Sequence, residues 1–273
     1  MENPLIPVIL LFLIGAVGGY LGGLLGVGGA LIFVPVLTFY FKSVMGLESE
    51  MIVRCVLANS MFCVLFTGLI ASYNQIKIKN FYLKAVLYTA LPGLASTTAL
   101  TYFINHTSFY SKEKFALFFI IMLLFMIYRM FQKIDENNTK NVIEIKATNF
   151  AIVGFGTGLI TSLSGLGGGL IMIPVFSKYI KLHLKQAISI STGVIPFFAL
   201  PNVVFYLFQD LQYEKALHFG YIFPYVAIPM TLGIIITTRF GINSAKNMTQ
   251  NKIRTIFLCV IILATVKMIF EVF

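Results

Sequence analysis

Two glycine-rich stretches carry the strongest chemical signal in this chain: GVGGALIFVPV (Gly26 to Val36) and GLGGGLIMIPV (Gly165 to Val175). Glycine at this density interrupts a helix, and each stretch splits an apolar run that would otherwise cross a bilayer, 5–41 in one case and 149–180 in the other. Inside hydrocarbon a broken helix frees backbone N–H and C=O groups that lipid cannot satisfy, so such breaks persist only where protein or water covers them. The freed amides at the start of Ala30–Tyr40 and of Gly169–Ile180 form partly positive half-helix ends. Two such ends facing one another near the midplane would hold an anion without a buried Lys or Arg. Gly26, Gly28, Gly29, Gly165, Gly167 and Gly168 are therefore candidate substrate-contacting residues, where the lack of a side chain also admits a ligand to the backbone. The alternative is helix packing alone, a reading that suits the wider spacing of Gly15 and Gly19 and of Gly154 and Gly158.

Small polar residues follow each glycine stretch. Asn59 and Ser60, and Ser191 and Thr192, sit in the first turns of the next apolar runs. Their amide and hydroxyl groups would hydrogen-bond an oxyanion, or else bond back to the preceding turn or across to a neighbouring helix. Ser164 and Thr161 sit beside the second glycine stretch. Enzyme signatures are missing: His106, His183 and His218 fall near the ends of runs, so no base is set against Ser164. The glycines lack the Lys-Ser/Thr of a phosphate-binding loop. Cys55, Cys63 and Cys259 fit no metal spacing and read as small buried hydrophobes. No cofactor is implied. No run carries a central Asp or Glu, so the usual proton-relay pattern is absent.

The elements that must position these residues follow from composition. Of 273 residues 58% are hydrophobic and 11% charged, where a soluble domain carries about 25% charged. So few charges cannot cover a globule, and the apolar surface must meet lipid. Continuous runs at approximately 52–72, 81–104, 115–131, 186–208, 216–238 and 253–273 have the length of membrane helices and lack the alternation of a β-barrel. The fold class is all-α and polytopic. The net charge of +10 sits in short loops between runs, the pattern of topology signals and not of nucleic-acid binding. Before the first run there is Glu2 and no basic residue, so this segment reads as a retained element and not a cleaved leader. Pro92, Pro196, Pro201, Pro224 and Pro229 lie inside runs, as kinks or as hinges.

The chain repeats. Shifting the first glycine stretch by 139 positions superposes Gly26/Gly165, Gly28/Gly167, Gly29/Gly168, Leu31/Leu170, Pro35/Pro174 and Val36/Val175, with Gly15/Gly154 and Gly19/Gly158 upstream. Asn59-Ser60 is echoed by Ser191-Thr192, and Pro92 by Pro229. The organisation is a first membrane repeat at 1–131, a polar cytoplasmic linker at 132–148 and a second membrane repeat at 149–273. Orientation follows from the positive residues, which concentrate on the cytoplasmic side. If both split segments cross fully, the twenty Lys and Arg divide eleven to nine; if both dip and return, they divide fourteen to six. The re-entrant arrangement carries the bias. Each half then has a hairpin and three full spans, an odd number of crossings, so the repeats are inverted and both chain ends lie outside.

The paired Gly-x-Gly-Gly-x-Leu-Ile-x-x-Pro segments, one opening each half, resemble the hallmark of the TauE/SafE sulfite-exporter permeases, and the resemblance covers about residues 5–272. The copies differ at Ala30, where the second has Gly169. The resemblance implies a multi-pass protein of the cytoplasmic membrane that moves sulfite, thiosulfate, sulfoacetate, another organosulfonate or another small organic anion. It carries the substrate-contact role to the six glycines and to Asn59, Ser60, Ser191 and Thr192. The partners implied are the bilayer and a small anion, with no nucleic acid. A channel, an intramembrane enzyme using Ser164 or a cysteine, and an assembly subunit are the competing functions. Tag-accessibility mapping is expected to place both termini on the outer face and the 132–148 linker in the cytoplasm; termini on opposite faces would remove the inverted arrangement.

Overall fold

Helix α1 (Leu5–Leu25) divides its surface cleanly. Ile6, Ile9, Leu10, Leu13 and Val17 are exposed along one side, while Gly15, Gly19 and Gly23 form the opposite edge at four-residue spacing. That glycine edge lies on the backbone of α9 (Pro224–Asn247). A Cβ at Gly15 would strike Met230, one at Gly19 would come within 2.7 Å of Ile234 Cα, and one at Gly23 would strike the Thr238 carbonyl. The paired positions, Gly15 with Met230, Gly19 with Ile234 and Gly23 with Thr238, advance together along both helices, so α1 and α9 run parallel. The computed structural model describes residues 5–107, 111–131, 146–213 and 216–272.

The same device recurs in the second half. Helix α6 (Ala147–Ser164) lays Gly154 on the backbone of Thr89 and Gly158 on Gly93 and Ser96, all in α4 (Leu83–His106). Close approach lets hydroxyls bridge the pair: Ser96 Oγ donates to the Phe155 carbonyl at 2.8 Å, Thr97 Oγ1 to Gly158 at 2.7 Å, and Ser162 Oγ to Thr97 at 2.9 Å. On the other pair Thr237 Oγ1 donates to the Ala16 carbonyl at 2.6 Å. Without a hydrophobic drive between helices in lipid, such small-residue contacts and hydrogen bonds are what hold them together.

Length and composition alone would let α1 and α6 cross a bilayer. Their registers say where they stop. Leu24 is level with Gly241, whose Cβ would lie 2.9 Å from the Leu24 nitrogen, and α9 continues six residues further to Asn247. Ser162 is level with Thr97, and α4 continues about seven residues beyond the level at which α6 ends. At 1.5 Å per residue each helix ends roughly 10 Å short of its partner. The chain then turns into a short second helix, α2 (Ala30–Phe39) extended by a π-helical turn (Tyr40–Val44), or α7 (Gly169–Lys178).

Helices α3 (Ser49–Lys77) and α8 (Leu184–Leu207) form the centre. They are antiparallel: Gly68 lies against Ile195 and Pro196, and Ser72 Oγ donates to the Thr192 carbonyl at 3.0 Å. Helices α5 (Lys112–Phe131) and α10 (Gln250–Val272) pack on one another at the periphery, with Leu117, Ile121, Leu124, Leu263 and Phe270 exposed. Exchanging α1–α5 for α6–α10 maps α1–α9 contacts onto α6–α4, α3–α9 onto α8–α4, and α2–α3 onto α7–α8.

The apolar runs of the sequence reappear as helices, with informative differences. The run at 216–238 does not begin as a helix. Residues 216–223 form an extended turn with a single Phe219–Ile222 bridge, and the helix starts at Pro224 and continues to Asn247. Pro224 thus initiates α9, where its missing N–H costs nothing, and does not kink it. Helix α6 begins at Ala147, two residues inside the expected linker, and 132–145 lie outside the described residues. Helix α4 has the 24 residues of a span, but its Thr and Ser positions dilute its hydropathy; several of those hydroxyls face α6.

A Gly154→Ala variant is expected to lose about 1–3 kcal/mol in a detergent-unfolding titration, because its methyl would meet Thr89 backbone. Gly156→Ala, with nothing within 4 Å of the added carbon, should match the parent.

Candidate functional site

The two hairpin tips share one backbone conformation. Gly26, Gly28 and Gly29 have φ of 73°, 75° and 78°; Gly165, Gly167 and Gly168 have 72°, 67° and 78°. Three left-handed residues in four reverse the chain within a few ångströms, a path that side chains bearing Cβ resist. The intervening Val27 and Leu166 are buried, at 1% and 2% exposure.

This geometry leaves amides without acceptors. Gly26 N–H bonds the Gly22 carbonyl and Gly165 N–H the Thr161 carbonyl, closing α1 and α6, while Ile32, Phe33, Ile171 and Met172 bond back to Gly29 or Gly168. Between these, the N–H groups of Val27, Gly28, Gly29 and Leu31 in one tip make no hydrogen bond to protein. The same holds for Gly167, Gly168, Gly169 and Leu170 in the other. All are buried. Buried backbone donors are nearly always paired, so a cluster of this size in the bundle interior calls for an acceptor. The N-terminal ends of α2 and α7 add their partial positive charge at the same place. No Lys, Arg, Asp or Glu among the described residues is fully buried, so backbone supplies the polarity here.

The tips meet each other and the middle of the central helices. A Cβ on Gly169 would strike the Gly26 carbonyl oxygen and come within 2.9 Å of Val27 Cα; this contact explains why the second copy keeps glycine where the first has Ala30. Val64, near the middle of α3, and Ile195, near the middle of α8, both lie against both tips. A Cβ on Gly28 would be 3.1 Å from Val64 Cγ1 and 3.5 Å from Ile195 Cδ1, and one on Gly167 would be 2.5 Å from Val64 Cγ1 and 3.5 Å from Ile195 Cγ2. Leu57 covers Gly165, and Ile188 covers Gly26.

Ser60 and Ser191 tie the tips down crosswise. Ser60 Oγ donates to the Gly165 carbonyl at 3.2 Å, and Ser191 Oγ to the Gly26 carbonyl at 3.0 Å, so each half's central helix holds the other half's tip. These bonds set the true correspondence as Ser60 with Ser191, one position off the Asn59-Ser60 and Ser191-Thr192 alignment expected from the sequence. The neighbours face elsewhere. Asn59 Nδ2 donates to the carbonyls of Cys55 and Tyr221 at 2.7 and 2.9 Å, and its Oδ1 accepts from Phe223 N–H at 3.0 Å. Asn59 thus pins the 216–223 turn onto α3, alongside the Tyr221 N–H bond to the Tyr206 carbonyl. Thr192 Oγ1 bonds back to the Ser189 carbonyl at 2.9 Å. Ser164 Oγ donates to Ile160 at 2.8 Å and accepts weakly from Leu166 N–H at 3.4 Å, and Thr161 bonds its own turn. Cys55 and Cys63 are buried thiols and Cys259 is an exposed one. No grouping of three or more His, Cys, Asp or Glu able to hold a metal occurs among the described residues.

The family profile described as sulfite exporter TauE/SafE matches residues 11–268, essentially the whole bundle including both tips. The chain belongs to the TauE/SafE family. Its relatives include a probable membrane transporter protein of Methanocaldococcus jannaschii, 29% identical over 249 residues, covering 90% of this chain and 89% of the relative. A probable membrane transporter protein of Haemophilus influenzae is 23% identical over 267 residues (96% and 97%). The probable membrane transporter protein YunE of Bacillus subtilis is 23% identical over 281 residues, again 96% and 97%. No solved structure matches the chain significantly. Family membership and the apolar helices make this a multi-pass protein of the cell membrane, of a transporter family.

Sequence reading missed Leu57, Val64, Ile188 and Ile195, which look like any other core aliphatics; only their placement against the tips marks them. Ser60→Ala and Ser191→Ala are each expected to cost about 0.5–1.5 kcal/mol and to speed amide exchange at the tip they hold, 165–170 for Ser60 and 26–31 for Ser191. Thr192→Ala should leave both tips unchanged in the same exchange measurement.

Proposed function

We propose that this chain is a permease that carries a small anion, a sulfur-containing oxyanion or organosulfonate, across the cytoplasmic membrane by alternating access. One observation carries the reading: two sets of buried, unpaired backbone amides converge with two helix N-termini at the centre of the bundle. An oxyanion offers several acceptor oxygens to such a donor cluster, and its charge suits both half-helix ends. A cation would be repelled there, and a neutral solute would leave most of the donors unmet. The family description, sulfite exporter, favours sulfur oxyanions within the anion class.

The two halves act as inverted repeats in this reading. The antiparallel course of the equivalent helices α3 and α8 supports it, as do the parallel pairs α1–α9 and α6–α4, which let each hairpin return to the side it entered. Val64 and Ile195 stand between the tips, so an anion enters when rocking of one half against the other draws these side chains apart. Each tip is bonded to the central helix of the other half through Ser60 or Ser191. Movement between halves therefore moves the tips themselves.

Purified protein in liposomes should move one or more of sulfite, thiosulfate and sulfoacetate with saturable kinetics, where a channel would show linear flux. Small carboxylates, run with and without a proton gradient, complete the panel. Gly28→Leu and Gly167→Leu should abolish flux while the proteins still insert, since each adds a side chain at positive φ against Val64 and Ile195. Parental flux from Gly28→Leu would overturn the tip site.

A further inference from the structure

The central helices carry a matched sequence of roles. Reading from its N-terminal end, α3 presents Leu57 over one tip, Ser60 bonded to that tip, and Val64 between the tips; α8 presents Ile188, Ser191 and Ile195 in the same order and spacing. One turn earlier, three residues before each tip-covering aliphatic, stands a cation: Arg54 on α3 and Lys185 on α8. Residues three apart share a helix face, so each cation lies directly outward of the side chain that covers a tip. Because α3 and α8 are antiparallel, the two cations flank the tips from opposite ends of the bundle.

Among the described residues each makes one side-chain hydrogen bond and keeps further donors. Arg54 is half-buried. It donates one hydrogen bond, Nη1 to Tyr221 hydroxyl at 3.0 Å, with its guanidinium 5.7 Å from the Tyr221 ring centre. Four further N–H groups of the fork remain for a ligand. Lys185 Nζ donates to the Lys246 carbonyl at 2.8 Å and lines a groove of about 460 Å³ that it shares with His183, Lys246 and Gln250. The described residues place no carboxylate in ion-pair contact with either cation.

We propose that Arg54 and Lys185 are the outer and inner anion-capturing residues of the transport path, each binding the anion before the adjacent aliphatic, Leu57 or Ile188, moves off its tip. This rests on the tip site being the transport site. Arg54 lies six residues from Ser60 along α3, about 9 Å of rise. An anion at Arg54 therefore occupies a position distinct from the tip, and loss of one charge-assisted hydrogen bond at that outer position lowers affinity there roughly tenfold.

The test uses whichever of sulfite, thiosulfate and sulfoacetate the wild-type protein moves, in right-side-out and inside-out membrane vesicles. Arg54→Gln should raise KM for entry at the outer face about tenfold and leave the inner-face KM within twofold. Lys185→Gln should do the reverse. Arg54→Lys keeps the charge and should stay near wild type; Tyr221→Phe removes the hydroxyl partner but not the charge and should do so as well. Unchanged KM values, or outer and inner values moving together in either glutamine variant, would overturn the proposal while leaving the tip site standing. A wild type that moves none of the three anions would remove the tip site and this inference with it. Lys185 is exposed, so its glutamine variant carries the test alone should Arg54→Gln not reach the membrane.

Discussion

The fold depends on one constraint: backbone amides and carbonyls inside a bilayer need partners, and water is not there to supply them. Among the described residues, the long helices α3, α4, α5, α8, α9 and α10 meet it along most of their length through their own backbone bonds. The short helices α2 and α7 begin in the bundle interior, and their first amides, with those of the glycine turns before them, have no partner from the chain. Everything around the tips answers to this. Carbonyls of Gly26 and Gly165 receive Ser191 and Ser60, while the donors are gathered, shielded by aliphatics, and left facing inward. A structure that concentrates unmet donors of one polarity where no side-chain charge is buried has in effect built an electropositive site from main chain alone.

Glycine does two different jobs here, and they should be kept apart. In α1 and α6 it removes side chains so that helical backbones touch α9 and α4, and the hydroxyl bridges that follow fasten the outer scaffold. In the tips it permits left-handed backbone and brings the two hairpins into contact, with Gly169 pressed on Gly26. The first use is rigidifying. The second lets the tips pack closely on aliphatic and aromatic side chains, among them Val64 and Ile195 from the antiparallel central helices.

The sequence itself determined the membrane class, the helical runs, the two glycine breaks and the duplication, because each rests on local composition or on identity at fixed spacing. Hydropathy does not depend on what a segment packs against, and a cluster such as Gly165 to Gly169 breaks a helix in any context. Family resemblance was legible for the same reason: the paired motif is contiguous. Tertiary structure alone decided which residues face the tips. Asn59 and Ser60 are adjacent in sequence and chemically alike, yet a helix turns 100° per residue, so one holds the Tyr221–Phe223 turn and the other holds Gly165. The aliphatics Leu57, Val64, Ile188 and Ile195 carry no chemical mark, and the non-helical 216–223 segment is apolar enough to be helix; only packing against a distant residue fixes what each becomes.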